Sequence, residues 1–378
     1  MARHLVFVVI LMASVFAMAQ GLSYPLLAFI LERQGVSPAI IGLNTAMTPL
    51  GIIASAAFIP WIAKRMGAAN MALVSALMLA GLLAIIGAWQ VLPVWFPARF
   101  MIGVAINGLF ISSETWVNLL APEGKRGRLL GLFSSSLAAG FAIGPFIIVA
   151  TGTLGWAPFL VGIAVFLTTA FILFLARKHL PPLHGEEAVS VRNFLPLAPF
   201  LLLSVVTAAA FDQGSLALLP PYGRAFGVGE ATMAAAIGVL IIGNIVFQMP
   251  IGWLADRWSR RGTTMLLCGL TVIGAALLPF AIGTNWATWA LFFFWGSTAY
   301  GIYTVALIEL GDRFNGSILL AGNASFALMW GIGGMIGPPA FGAAMTSLGP
   351  HGLPLMMGLL YAALILIGLL RMRQRVPA

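Results

Sequence analysis

The length of its apolar runs restricts this chain more than any other feature. Twelve segments, near residues 4–31, 38–63, 68–90, 93–121, 128–153, 156–176, 195–222, 230–255, 263–284, 286–312, 319–346 and 353–371, are apolar over transmembrane length. Leu129 to Ala176 and Gly262 to Ile308 contain no Asp, Glu, Lys or Arg, and one bilayer crossing needs roughly 20 such residues. A soluble core has no use for such runs. With 8% charged residues, against about 25% in globular domains, the chain reads as an all-α polytopic membrane protein of 12 transmembrane helices.

The net charge of +9 follows from topology. With the N-terminus inside, 16 of the 19 Lys and Arg residues fall in the termini and alternate loops of one face. Arg33 and Arg224 lie on the other face, and Arg99 lies within a span. Retention of positive charge on the cytoplasmic side orients membrane proteins, so both termini are expected inside and no nucleic-acid partner is implied.

The start, with Met1-Ala2-Arg3-His4, an apolar stretch and Ala17-Met18-Ala19, imitates a cleavable secretory signal. A retained first helix is the preferred reading, because Gln20-Gly21 recurs as Gln213-Gly214 in the seventh span. The recurrence is part of a repeat spaced by 193 residues. Gly81, Gly103, Gly108, Gly140 and Gly144-Pro145 return as Gly274, Gly296, Gly301, Gly333 and Gly337-Pro338. Six helices per copy put both copies in the same orientation, as parallel repeats about an axis along the membrane normal. The expected organisation is a six-helix bundle over 1–180, a polar cytoplasmic linker over 181–193 and a second bundle over 194–378.

Three local signatures make the chain resemble the major facilitator superfamily over essentially its whole length. The first is Gly252-Trp253-Leu254-Ala255-Asp256-Arg257-Trp258-Ser259-Arg260-Arg261, similar to the family's cytoplasmic loop motif. Its first-half counterpart, Pro60-Trp61-Ile62-Ala63-Lys64-Arg65-Met66-Gly67, has Lys64 where the family expects Asp. The second is Arg99-x-x-x-Gly103 in the fourth span. The third is Gly140-x-x-x-Gly144-Pro145, echoed by Gly333-x-x-x-Gly337-Pro338, a pattern commonest in exporters that exchange solute for protons. Glu114 with Gly127-Arg128-Leu129-Leu130-Gly131, and Gln248-Met249-Pro250-Ile251-Gly252, resemble more narrowly the YcaD-type branch.

The resemblance implies two bundles that alternate access to a central cavity lined by spans 1, 4, 7 and 10. A charge in hydrocarbon costs about 2.5 kcal/mol or more, so it normally faces a wet cavity or a partner. Arg99, Glu114 and Asp212 are the clear cases. Fifteen residues separate Arg99 from Glu114, which on a helix is about 60° in azimuth and roughly 22 Å in height. Asn107 and Asn118 complete a polar stripe with them. Glu114 reads either as a proton or substrate-cation site or as a static anchor, since a carboxyl removed from water is a candidate proton carrier. The same choice stands for Asp212, with Arg99 a candidate counter-ion. Gln20, Tyr24, Gln213, Tyr300 and Tyr303 complete the candidate lining, whereas Glu309, beside Asp312-Arg313, reads as interfacial.

Glycines spaced by four let helix backbones approach closely, and the six residues Gly140, Gly144, Pro145, Gly333, Gly337 and Pro338 are the expected helix-packing motif. Asp256, Arg257, Arg260 and Arg261 form the candidate conformational latch. In the family the loop carboxylate meets the N-terminal end of the fifth span, whose free N–H groups attract an anion. Lys64 lacks that property, so the expected latch is asymmetric.

There is no Gly-x-x-x-x-Gly-Lys-Ser/Thr loop and hence no sign of a nucleotide-driven pump. His4, His179, His184 and His351 lie at span ends or in loops, and the single Cys268 cannot pair within the chain. No cofactor or metal is expected, and a proton gradient is the expected energy source. The chain reads as a secondary active transporter of a small organic solute, monomeric in a bacterial inner membrane. Proton-coupled export leads, with uptake by symport or facilitation as the rival. A membrane-embedded enzyme or a sensor is the remote alternative, since no cluster of His, Asp, Ser or Cys gathers near one membrane face.

Overall fold

The structure, a computed structural model, describes residues 2–120, 126–181, 191–283 and 285–373, and the side chains of some helix-end residues, Asn118 among them, lie outside that description. Every regular element described is an α-helix: α1 (Ala2–Arg33), α2 (Pro38–Ala56), α3 (Ile59–Met66), α4 (Ala68–Ala88), α5 (Leu92–Leu120), α6 (Arg126–Thr151), α7 (Ala157–Ala176), α8 (Val191–Phe194), α9 (Pro199–Ala225), α10 (Glu230–Arg257), α11 (Arg260–Ala281), α12 (Trp286–Arg313), α13 (Gly316–Leu348) and α14 (Gly352–Arg373). Twelve of them, all but α3 and α8, are long and apolar enough to cross a membrane. The expected linker over 181–193 falls mainly outside the described residues.

The one expected span that the structure divides is 38–63. Its helix ends at Ala56 and restarts as α3 at Ile59, with Pro60 in the first turn. Proline has no N–H and its ring clashes with the carbonyl four residues earlier, so it fits a helix start and not a helix interior. Gly67, at φ 81°, then turns the chain into α4.

Exposed tryptophans mark the span ends. Within the unit that holds α4 to α7, Trp89 and Trp156 stand at one set of alternating ends and Trp61 at the other; within the unit that holds α9 to α14, Trp286 stands at one set and Trp253 and Trp258 at the other. Indole rings favour the headgroup level of a bilayer, and exposed Phe171, Met249 and Ile273 between the ends of their helices suit hydrocarbon.

The chain divides into two compact units, Met1–Ile30 with Met47–Glu187, and Leu31–Ala46 with Ala188–Ala378. The sequence placed residues 31–46 in the first bundle. In the structure they pack with the C-terminal helices, because glycines on both sides allow backbone contact. Gly42 lies against the carbonyl of Pro338, and Gly342 against that of Pro38. Ion pairs join the same segment, with Glu32 3.0 Å from Arg224 and Arg33 3.8 Å from Glu230.

Within the first unit, α6 packs on α1 through Gly140 against Ser14 and Gly144 against Gly21. Gly103 of α5 meets the Thr48 carbonyl of α2, and Gly51 meets that of Phe100. The second unit repeats these contacts between equivalent helices, three within one residue of the same register and that of Gly337 one turn earlier along its partner. Gly333 and Gly337 of α13 lie on Val206 and Ala210 of α9, Gly296 of α12 on the Leu240 carbonyl, and Gly243 of α10 on the Phe293 carbonyl. A Cβ at any of these positions would overlap a neighbouring backbone, which is why glycine stands there. The repeat seen in sequence is therefore a repeat of helix-to-helix contacts.

Candidate functional site

The second unit buries a carboxylate at its centre. Asp212, 5% exposed, sits midway along α9. Its Oδ1 accepts a hydrogen bond from the Tyr300 hydroxyl of α12 at 2.8 Å, and its Oδ2 accepts one from the Gln213 amide at 2.7 Å. The Oε1 of Gln213 is buried with no hydrogen-bond partner among the described residues. Aromatic rings wall the group in. Phe211 stands edge-on to Trp295, Tyr300 and Tyr361, with centroids 4.9, 5.6 and 6.0 Å apart. Tyr361 donates to the Ala299 carbonyl at 2.9 Å and Trp295 to that of Thr271 at 3.0 Å, so the rings are pinned from α14 and α11. A carboxylate so held keeps two donors when ionised. When protonated it becomes a donor itself, and the free Gln213 oxygen is an acceptor for it.

The first unit buries a cation instead. Arg99 of α5, 3% exposed, lies over the ring of Tyr24 on α1 with its guanidinium carbon 5.3 Å from the centroid. The negative face of an aromatic ring stabilises a desolvated cation. Gln20, one turn before Tyr24, lines a small hollow with Ser23, Leu79, Leu83, Ile102 and Ile106. Asn107 donates to the Ile52 carbonyl at 3.1 Å and to Ser55 Oγ at 2.9 Å, which fastens α5 to α2. The structure thus gives this residue a packing bond. Glu114 is exposed on α5, six residues before the helix ends.

The family model described as Major Facilitator Superfamily matches residues 9–314 and 201–378, and so spans nearly the whole chain. The chain belongs to the major facilitator superfamily. It is 26% identical to the uncharacterized MFS-type transporter YfkF of Bacillus subtilis over 92% of this chain and 90% of that one. It is 27% identical to the uncharacterized MFS-type transporter YcaD of Escherichia coli over 68% and 66%. Among solved structures it shares the fold of a nucleoside transporter, NupG, in a mutant form, with TM-score 0.83, 12% identity and 97% and 99% of the two chains covered. It also shares that of a D-xylose–proton symporter, with TM-score 0.71, 14% identity and 96% and 97% covered. The protein is thus a major facilitator transporter of small solutes and not an enzyme.

The superfamily loop motif is built alike in both halves at its outer edge. Arg65 stacks on Trp61 and Arg257 on Trp253, each 4.5 Å from the ring centroid. Beyond that the halves part. Asp256 pairs with Arg260, whose Nη2 also lies 2.8 Å from Asp312 at the end of α12. Arg261 donates to the Gly368 carbonyl and lies 5.5 Å from the centroid of Phe200. Tyr303 packs edge-on against Trp330 of α13 at 5.0 Å, so its described contact is with a neighbouring helix. Glu309 pairs with Arg313 at 2.9 Å.

The residues of the major facilitator packing motif act within each unit. Gly140 and Gly144 join α6 to α1, and Gly333 and Gly337 join α13 to α9, with Pro145 and Pro338 inside the helices that carry them. Sequence reasoning missed the aromatic wall of Phe211 and Tyr361, and two buried hydroxyls on α9, Ser215 and Tyr222. The hydroxyls could have been found from their spacing of three and ten residues after Asp212 on one helix.

Proposed function

We propose that this transporter exports a small organic solute in exchange for protons, and that Asp212 is the carboxylate that carries the proton. The observation behind this reading is the setting of Asp212, buried in α9 between the Tyr300 hydroxyl and the Gln213 amide with a spare acceptor beside it. A proton carrier must be accommodated in both protonation states, and this trio offers partners to each. Glu114, exposed on α5, takes the second role, that of meeting a cationic group of the solute. The Gly-x-x-x-Gly-Pro pattern supports export over uptake. A symporter can use the same carboxylate, and the direction of proton movement separates the two. The working setting is a monomer in a bacterial inner membrane with both termini cytoplasmic, energised by the proton gradient, with no cofactor, no nucleic acid and the solute and lipid bilayer as partners.

The test is proton movement in liposomes containing the purified protein, driven by a panel of amphipathic and cationic solutes. Wild type is expected to move protons opposite to solute. Asp212→Asn is expected to lower that movement by about a hundredfold or more, within the range for removal of a proton-transfer group. Glu114→Gln is expected to keep the coupling and its sign but raise the apparent KM for cationic solutes. Proton movement in the same direction as solute would overturn export, and coupling that survives Asp212→Asn would overturn the assignment.

A further inference from the structure

The outer half of α9 holds polar groups that the site above does not use. Ser215 Oγ and the Tyr222 hydroxyl are both fully buried and have no hydrogen-bond partner among the described residues. Ser215 follows Asp212 by three residues and Tyr222 follows Ser215 by seven, so on a helix of 100° per residue all three lie within a strip about 80° wide. Helical side chains lean toward the N-terminus, which carries the Tyr222 hydroxyl back toward Ser215. Between them the helix contains Pro220 and Pro221. Neither has an N–H, so the carbonyls of Leu216 and Ala217 lose their usual helical donors over that stretch. The strip ends two residues before Arg224, which pairs with Glu32 at the end of α1.

We infer that this strip is a proton path leading from the Glu32–Arg224 end of α9 to Asp212, with Ser215 and Tyr222 as its relay groups. The inference rests on the reading of Asp212 as the proton-carrying carboxylate. A hydroxyl both donates and accepts, so it can pass a proton on without holding a charge. Buried hydroxyls that find no protein partner are the groups that ordered water joins. Steps of about 4.5 and 10.5 Å along the axis, the second shortened by the length of the tyrosine, suit a chain of hydroxyls and single waters. Ser215→Ala and Tyr222→Phe each remove one oxygen and little else.

Infrared difference spectroscopy on the full chain in lipid tests the path without a known solute. The band to follow is the carboxylic acid C=O stretch present in wild type and missing in Asp212→Asn. After a switch from H2O to D2O, the rate at which this band shifts reports proton access to Asp212. The double variant Ser215→Ala/Tyr222→Phe is expected to slow it by about tenfold or more. Ser204→Ala, elsewhere on α9, is expected to leave the rate unchanged. An unchanged rate in the double variant would overturn the path while leaving Asp212 as the carrier. Absence of any band that depends on Asp212 would overturn both readings. Should the double variant fail to fold, Tyr222→Phe alone gives the same test, with an expected slowing of about threefold.

Discussion

The two repeats solve the same packing problem with the same residues and then diverge at the positions that carry charge. Gly140 and Gly333, or Gly103 and Gly296, occupy equivalent places and meet equivalent backbones. At the same offset of 193, buried Arg99 of the first unit corresponds to buried Phe292 of the second, and Asp212 of the second corresponds to Ala19 of the first. Asn107 and Tyr300 are also equivalent. The first fastens α5 to the α2 backbone, while the second reaches Asp212 on α9. The two repeats share what holds helices together and differ at the polar positions, so that one unit holds a buried cation and the other a buried carboxylate.

The shared part of this comparison carries the largest expected effect. Gly140→Leu and Gly333→Leu each force a side chain into a neighbouring backbone, of Ser14 in one case and of Val206 in the other. Overpacking of a tight core costs roughly 1–3 kcal/mol, occasionally more, and a rigid helix backbone cannot yield as a side chain can. Both variants are expected to lose monodisperse protein on size-exclusion chromatography. Survival of one alone would break the equivalence of the two packings.

The divergent part is tested by paired substitutions of intermediate effect. Tyr300→Phe removes one donor to Asp212 and leaves the ring against Phe211, so it is expected to lower proton-coupled flux several-fold with a thermal midpoint close to wild type. Asn107→Ala removes two hydrogen bonds to α2, each worth about 0.6 kcal/mol inside membranes. It is expected to lower the midpoint while leaving coupling intact. Flux measured beside thermal unfolding separates the two, and the reverse pattern would mean that the polar residue of the first unit is the one in the transport path.

Much of this was legible in the sequence, and the reasons differ by feature. Twelve spans and a repeat follow from run length and glycine spacing, which one dimension records completely. Arg99 and Asp212 stand out because charge in an apolar run is rare. The break at Ala57–Phe58 was hidden because both sides are apolar, and only Pro60 marks it. Partners were not legible at all. Nothing in the spacing says that Asn107 turns to Ile52 or that Tyr300 turns to Asp212, since a stripe on one helix fixes azimuth but leaves the neighbour open. The grouping of residues 31–46 with the second unit escaped for a similar reason, because their contacts are with Pro338, Thr346 and Arg224, far along the chain.

The smallest expected effect belongs to the loop motif, where Lys64 and Asp256 differ in sign. Asp256 is well exposed at the end of α10, and its partner Arg260 keeps a second carboxylate, Asp312, whatever happens to the first. Exposed ion pairs contribute about 0–1 kcal/mol and are screened by salt. Asp256→Lys, which copies the first half, is therefore expected to shift thermal stability only slightly and less still at high salt. Its stronger signature is conformational. If Asp256 acts as the latch of its half, the substitution changes the labelling rate of single cysteines placed at the C-terminal ends of α10 and α12, and Lys64→Asp changes it in the opposite sense. Labelling rates equal to wild type in both variants would reduce the loop motif to the Trp–Arg stacks that the two halves already share, and leave the asymmetry between them to Arg99 and Asp212.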